Sequence, residues 1–370
     1  MRGRTRYIIC FYFFFFSVNL SAQQSMFVLS KFSRFAKVIR LGSAYTGYAK
    51  GMESINTNTA GLANNNLKGV IFSDAIGFPS LASKKSIYSV GLALPTSFYD
   101  VVFAASYDRL SLDLGPHSDY IESKIALHGA KKLSRSTSIG ISLNYFRLDS
   151  KSNFTTTESP GSRGIIEMDT DAFDLSLGIL HIIEDPFNLY IPNQLGFGFY
   201  IENFLGTKVK MPSYGISSSL YQPEPADIFQ QARLGTSYEI SSEQIRIADL
   251  NFVKMLFVFD AVFIGSNYSF ELFQPNYGIQ ITFFEVLSFS YGRESEAELK
   301  DVYSSSLAYP VSRYGIGIAL PLHKLFNINN EVTAEVNYCE SDWDNKVGNF
   351  YSGNQLDEKG LSFSLMWKFN

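Results

Sequence analysis

The sequence predicts an all-β fold, a transmembrane antiparallel β-barrel of about 14 strands with an N-terminal helical or irregular hatch segment inside it. Three observations predict it. Leu361, Phe363, Leu365, Trp367 and Phe369 alternate with Ser362, Ser364, Met366 and Lys368 up to the penultimate residue. That is the period of a strand, whose successive side chains leave on opposite faces. Similar alternation recurs from Lys68 onward. After the first two dozen residues no apolar run is long enough to form a helical span.

The N-terminus reads as a leader. Arg2, Arg4 and Arg6 precede an apolar, Phe-rich core from Ile8 to Val18, and Leu20-Ser21-Ala22 offers small residues for cleavage before Gln23. Residues 1–22 are therefore expected to be a signal peptide, 23–67 the hatch and 68–370 the barrel. Removing the three leader arginines takes the formal charge from −4 to −7, which argues against a nucleic-acid partner. Only Cys339 then remains, so no intrachain disulfide forms. An aromatic content of 15% suits a barrel with ring-rich girdles at both interfaces.

Strands are expected near 68–75, 86–94, 101–110, 122–131, 137–149, 167–181, 195–205, 230–240, 250–264, 277–284, 287–294, 312–320, 329–339 and 360–369. An even count suits a bacterial barrel with both termini in the periplasm. Ile139, Ile141, Leu143 and Tyr145 oppose Ser138, Gly140, Ser142 and Asn144. Tyr314, Ile316, Ile318 and Leu320 oppose Arg313, Gly315, Gly317 and Ala319. A soluble sandwich also alternates; aromatic rings near both strand ends favour a membrane. The intervals 150–166, 206–229, 295–311 and 340–359 read as long external loops, and the alternate intervals as shorter periplasmic turns. The run Met255–Phe259 is continuously apolar and also fits a buried helix.

Lys124, His128, Glu202, Arg233, Arg313 and Glu335 fall on predicted inward faces, where charges must pair or be hydrated. Salt bridges that fill the lumen are favoured there over a substrate path. Inward Gly196, Gly198, Gly315 and Gly317 either make room for the hatch or line a passage. Glu167, Asp169 and Asp171 share one strand face and read as a wet face rather than a calcium site. The four histidines have no ligand spacing, and neither a Gly-x-Ser-x-Gly elbow nor a phosphate loop is present. No catalytic residue, metal or cofactor is assigned, and the chain reads as non-enzymatic. A lipid-acting barrel enzyme would need a lipid-face Ser–His pair, and His128 faces inward.

Small residues crowd Arg40-Leu41-Gly42-Ser43-Ala44-Tyr45-Thr46-Gly47-Tyr48-Ala49, which reads as a glycine- and alanine-rich helix. A polar spacer leads to Asn58-Thr59-Ala60-Gly61-Leu62-Ala63, where Asn58 sets a turn. Gly42, Ala44, Tyr45, Asn58, Ala60, Gly61 and Leu62 form the candidate hatch motif. The stretch resembles the outer-membrane superfamily of FadL-like transporters and the PorV/PorQ proteins of type IX secretion. Arg40 stands where that family has its first glycine, and Thr59 where it has proline. Phe363, Leu365, Trp367 and Phe369 resemble the C-terminal insertion signal of such barrels. The resemblance implies an outer-membrane location in a diderm bacterium and a 14-strand barrel with an internal hatch. It also implies either passage of fatty-acid-like molecules or an accessory role in secretion. The partners it implies are outer-membrane lipid and lipopolysaccharide, the barrel-assembly machinery, and a hydrophobic ligand or secretion-system proteins.

Overall fold

The computed structural model describes residues 25–26, 29, 33–64, 68–77, 84–96, 100–113, 119–155, 163–209, 214–216, 219–221, 225–242, 246–247, 250–266, 269–297, 308–326, 330–343 and 358–368. The leader expected at 1–22 lies outside them, as does Phe369.

Fourteen strands close into one antiparallel barrel. They are β1 (Lys68–Gly77), β2 (Lys84–Pro95), β3 (Val101–Asp113), β4 (Asp119–Lys132), β5 (Thr137–Thr155), β6 (Arg163–Glu184) and β7 (Asn193–Glu202). Then follow β8 (Gln230–Ser241), β9 (Val253–Ser266), β10 (Ser269–Phe283), β11 (Leu287–Ala297), β12 (Ala308–Pro321), β13 (Glu331–Trp343) and β14 (Glu358–Lys368). Each pairs with its neighbours in sequence, and β1 closes on β14 from Lys68 opposite Trp367 to Ile76 opposite Lys359. Closure matters because bilayer hydrocarbon offers no hydrogen-bond partners, so an open sheet edge would carry unsatisfied backbone groups.

The alternation decides which face meets lipid. Leu127, Ile141, Phe197, Ile316 and Phe363 stand out from the wall, each more than two-fifths exposed. Their neighbours Ser142, Asn144, Ser176, Asn337, Ser362 and Ser364 are buried inside. No helix among the described residues is long and apolar enough to cross a membrane.

Two expectations change, and one alternative is resolved. The run Met255–Phe259 lies within strand β9, in keeping with the strand expected near 250–264, and not in a helix. Its apolar continuity comes from lipid on one face and the packed lumen on the other, with Leu256 and Val258 buried inside. The external interval after β7 is wider than expected, since β7 ends at Glu202, while those after β5 and β9 are narrower, because β5 and β6 continue to Thr155 and Arg163, and β10 begins at Ser269. Pro275 hides that last extension. It lacks an N–H, and it stands where β10 has no ladder to β11, whose pairing ends at Tyr277 opposite Arg293. Finally, residues 40–49 are not a helix. Only α1 (Ala36–Ile39) is α-helical there, and turns follow with Gly42, Ser43 and Ala49 at positive φ.

Candidate functional site: the occluded lumen

The N-terminal segment threads the barrel. Ser25–Met26 pairs in parallel with Asp227–Ile228, in the connection between β7 and β8. Leu29 then meets β4, Arg34 meets β3 and β7, and Tyr45 and Thr46 meet β9. Lys50 reaches the start of β7 and the end of β8. A second limb turns back, and a 3₁₀ helix over Thr59–Asn64 lies against β5.

Contact is backbone to backbone, and glycine permits it. A Cβ on wall Gly198 would overlap the Thr46 carbonyl, and one on Gly140 would overlap the Thr59–Ala60 peptide. Gly292 and Gly278 receive Leu41 and Gly42 in the same way. Gly196 meets the Gly47 carbonyl, and Gly315 and Gly317 meet the Arg40 side chain. Of the two readings open for these strand glycines, room for the N-terminal segment is the one the geometry takes. Gly42 itself has φ 65° and sits within contact of the Tyr277 and Arg293 backbones, so it meets both demands that favour glycine.

Apolar packing fills much of the remaining space. Phe35, Val38, Leu41, Ala44, Tyr45, Met52, Ile55 and Leu62 form one cluster with wall residues Ile71, Ala93, Val102 and Leu256.

Polar anchors set the register. The Asp260 carboxylate accepts the Tyr45 N–H at 3.0 Å, the Thr46 N–H at 3.1 Å and the Thr46 hydroxyl at 2.6 Å. Ser43 donates to Glu294 at 2.7 Å, Glu294 pairs with Arg313 at 2.8 Å, and Arg233 donates to the Ser43 carbonyl at 3.1 Å. Glu202 bridges Lys124 at 2.7 Å and Arg34 at 3.3 Å, and Arg34 also faces Asp108 at 3.7 Å. Lys37 lies 3.0 Å from Glu335 and 3.8 Å from Glu53. Burial raises the Glu53 carboxyl above its ordinary value, against the pull of Lys37.

Two of the sequence departures find physical roles. Arg40 is fully buried and donates to Gln280 at 3.2 Å. The Thr59 hydroxyl lies 2.8 Å from Ser142, which lies 2.8 Å from His128, which lies 3.0 Å from Ser106. A proline at position 59 would lack that link. Asn58 sets the expected turn, with its Oδ1 accepting from Ala60 at 3.3 Å and its carbonyl from Gly61 at 2.9 Å. Its amide also donates to the Thr46 and Ile179 carbonyls, tying the two limbs to β6.

Lys124, His128, Glu202, Arg233, Arg313 and Glu335 are thus all placed inside, and four different anchor clusters share them. His128 belongs to a hydroxyl relay. Phe363 is on the lipid face, with Leu365 and Trp367 partly covered. Asp169 pairs with Arg147 at 3.2 Å on an exposed face. No cluster of metal-ligand side chains occurs among the described residues. Sequence reasoning missed Arg34, Lys37, Asp108, Asp260 and Glu294. Asp260 carried a signal, a lone acid inside the apolar run from Met255 to Ile264.

No protein-family model matches the sequence. No curated protein matches it either. Solved structures do. The CymD monoaromatic hydrocarbon channel is 11% identical, with a TM-score of 0.50 over 94% of this chain and 99% of that one. The Ralstonia pickettii toluene transporter TbuX is 9% identical, with a TM-score of 0.51 over 91% of this chain and 98% of that one. A Pseudomonas aeruginosa FadL homologue is 11% identical, with a TM-score of 0.46 over 96% of this chain and all of that one. Closed wall, antiparallel order and likeness to the first two agree: the chain shares its β-barrel fold with the CymD channel and the TbuX transporter.

Proposed function

We propose that the protein passes hydrophobic small molecules across the outer membrane, with the N-terminal segment as the gate. One observation carries the gate. The β10–β11 ladder ends at the Tyr277–Arg293 pair, and Gly42 packs on the backbone of both residues. Beyond that pair the strands are joined by side chains, the Ser295 N–H to Asn276 at 3.2 Å and the Ser295 hydroxyl to the Pro275 carbonyl at 3.3 Å. Gly42 and Ser43 therefore stopper the seam with the shortest ladder among the described strands of the wall. A shift of these residues opens the interior apolar cluster toward that seam. Likeness in fold to hydrocarbon channels supports an apolar cargo, and the same chemistry suits a fatty-acid-like one.

Uptake tests the cargo. Proteoliposomes are expected to equilibrate a labelled aromatic hydrocarbon or long-chain fatty acid at least tenfold faster than protein-free vesicles. A Ser43→Cys variant tests the gate. Its buried thiol should react slowly with a polar maleimide at rest and about tenfold faster with the cargo present. Uptake no faster than in empty vesicles would remove the transport reading. The packed lumen favours, as the second reading, a PorV/PorQ-type accessory of type IX secretion. That reading expects co-purification with secretion-system proteins in place of uptake.

A further inference from the structure

We infer that the connection between β6 and β7, residues 185–192, is a membrane anchor whose apolar tip inserts into the periplasmic leaflet. Four of its eight residues are large, apolar and outward: Phe187 59% exposed, Leu189 49%, Tyr190 95% and Ile191 44%. A turn in water has no reason to present such a tip, because moving each large apolar side chain out of water is favourable. The fold holds the tip out by construction. Asp185 and Asn188 both take positive φ, 47° and 48°, which costs a non-glycine residue free energy. The Asp185 N–H donates to the Asn193 carbonyl at 2.8 Å, and the Asn188 N–H to the Asp185 carbonyl at 3.1 Å. The Asp185 carboxylate accepts the Asn193 N–H at 3.2 Å, and the Asn193 amide donates to the Ile191 carbonyl at 3.0 Å. These bonds close the loop as a rigid unit.

The occupant follows from where the loop leans. Phe187 lies edge-on to Tyr238, with ring centroids 5.6 Å apart and planes at 75°. Tyr238 points away from the lumen, between inward-facing Ser237 and Glu239 on β8. The loop therefore bends over β7 onto the lipid-facing wall, and its tip continues the apolar band that lipid already covers. The two ends of the loop, Asp185 and Pro192, line the polar recess at the mouth, a cavity of about 300 Å³ shared with Lys50, Glu184, Asn193, Gln194 and Glu239, while the tip from Phe187 to Ile191 takes no part in that lining. Other periplasmic turns carry single apolar residues, Leu133 60%, Phe252 37%, Phe284 37% and Phe326 69% exposed. This loop alone among the described turns groups four, so the anchor is one-sided. Aromatic rings with a polar edge suit the interfacial layer.

Spin-label accessibility in phospholipid nanodiscs tests this in the full chain. A nitroxide at Tyr190→Cys is expected to be reached by oxygen far better than by a nickel chelate, as at the lipid-facing control Leu127→Cys. At Ser134→Cys, in the turn between β4 and β5, the preference is expected to reverse. Nickel accessibility at position 190 equal to that at 134 would overturn the proposal, and would leave the tip facing water or a protein partner. Folding of each variant is checked by the gel shift between heated and unheated samples. As an independent measurement, a Phe187→Ser/Tyr190→Ser variant should lose its oxygen preference at Leu189→Cys. Retention would also count against insertion.

Discussion

Asp260→Ala is expected to release the N-terminal segment from the wall while the barrel stays folded. One carboxylate on β9 holds the Tyr45 N–H, the Thr46 N–H and the Thr46 hydroxyl, all at 2.6–3.1 Å. A hydrogen bond to a charged group is worth about 1.5–3 kcal/mol, and orphaning a buried donor adds its desolvation cost. These contributions overlap and do not sum. A loss of about 3 kcal/mol in the local opening free energy corresponds to roughly a hundredfold faster amide exchange at Tyr45 and Thr46. Amides of β5 and β14, which do not touch this carboxylate, should be unchanged. Asp260→Asn keeps an acceptor and should fall between the two. If exchange at Tyr45 were the same in Asp260→Ala as in the parent, the anchor role would be refuted.

Glu202→Gln should have the largest effect on global stability. The parent carboxylate sits 2.7 Å from Lys124 and 3.3 Å from Arg34, with all three side chains no more than 3% exposed. Neutralising it leaves two buried cations, with Asp108 the nearest remaining anion to Arg34 at 3.7 Å. Removing one partner of a buried ion pair typically costs about 3–5 kcal/mol. The temperature at which the folded gel band disappears is expected to fall by about 10 °C. The quadruple variant Arg34→Met/Asp108→Asn/Lys124→Met/Glu202→Leu removes the two cations and both of their anions together. It is expected to recover most of the loss, because desolvation of the ions goes with them. A quadruple variant no more stable than Glu202→Gln would show that shape, rather than charge, matters there.

Much of the wall was legible because lipid outside and a polar lumen inside impose a strict period of two. Ser138, Ser142 and Asn144 against Ile139, Ile141 and Leu143 mark a strand with one polar and one apolar face. Where one of those two solvents is replaced, the pattern blurs. Met255 to Phe259 fitted a buried helix as well as a strand because Leu256 and Val258 meet the apolar side of the N-terminal segment. Pro275 masked the upper part of β10 because a proline usually ends a strand, and here the ladder it would interrupt is already absent. The inward charges were legible one by one. Their partners were not, since Arg34 and Lys37 lie in a segment without periodicity, and the wall residues they meet are 74 to 298 residues away in sequence. Residues 40–49 read as a helix because glycine and alanine are small. The same smallness serves close backbone approach, and positive φ at Gly42 and Ser43 makes turns of them.

The account rests on the N-terminal segment lying folded inside a closed wall. Hydrogen–deuterium exchange of the full chain in nanodiscs tests this most directly. Peptides covering 41–63 are expected to exchange on the slow time scale of β5 and β14. Exchange of 41–63 within seconds, at the rate of an unstructured peptide, would contradict it.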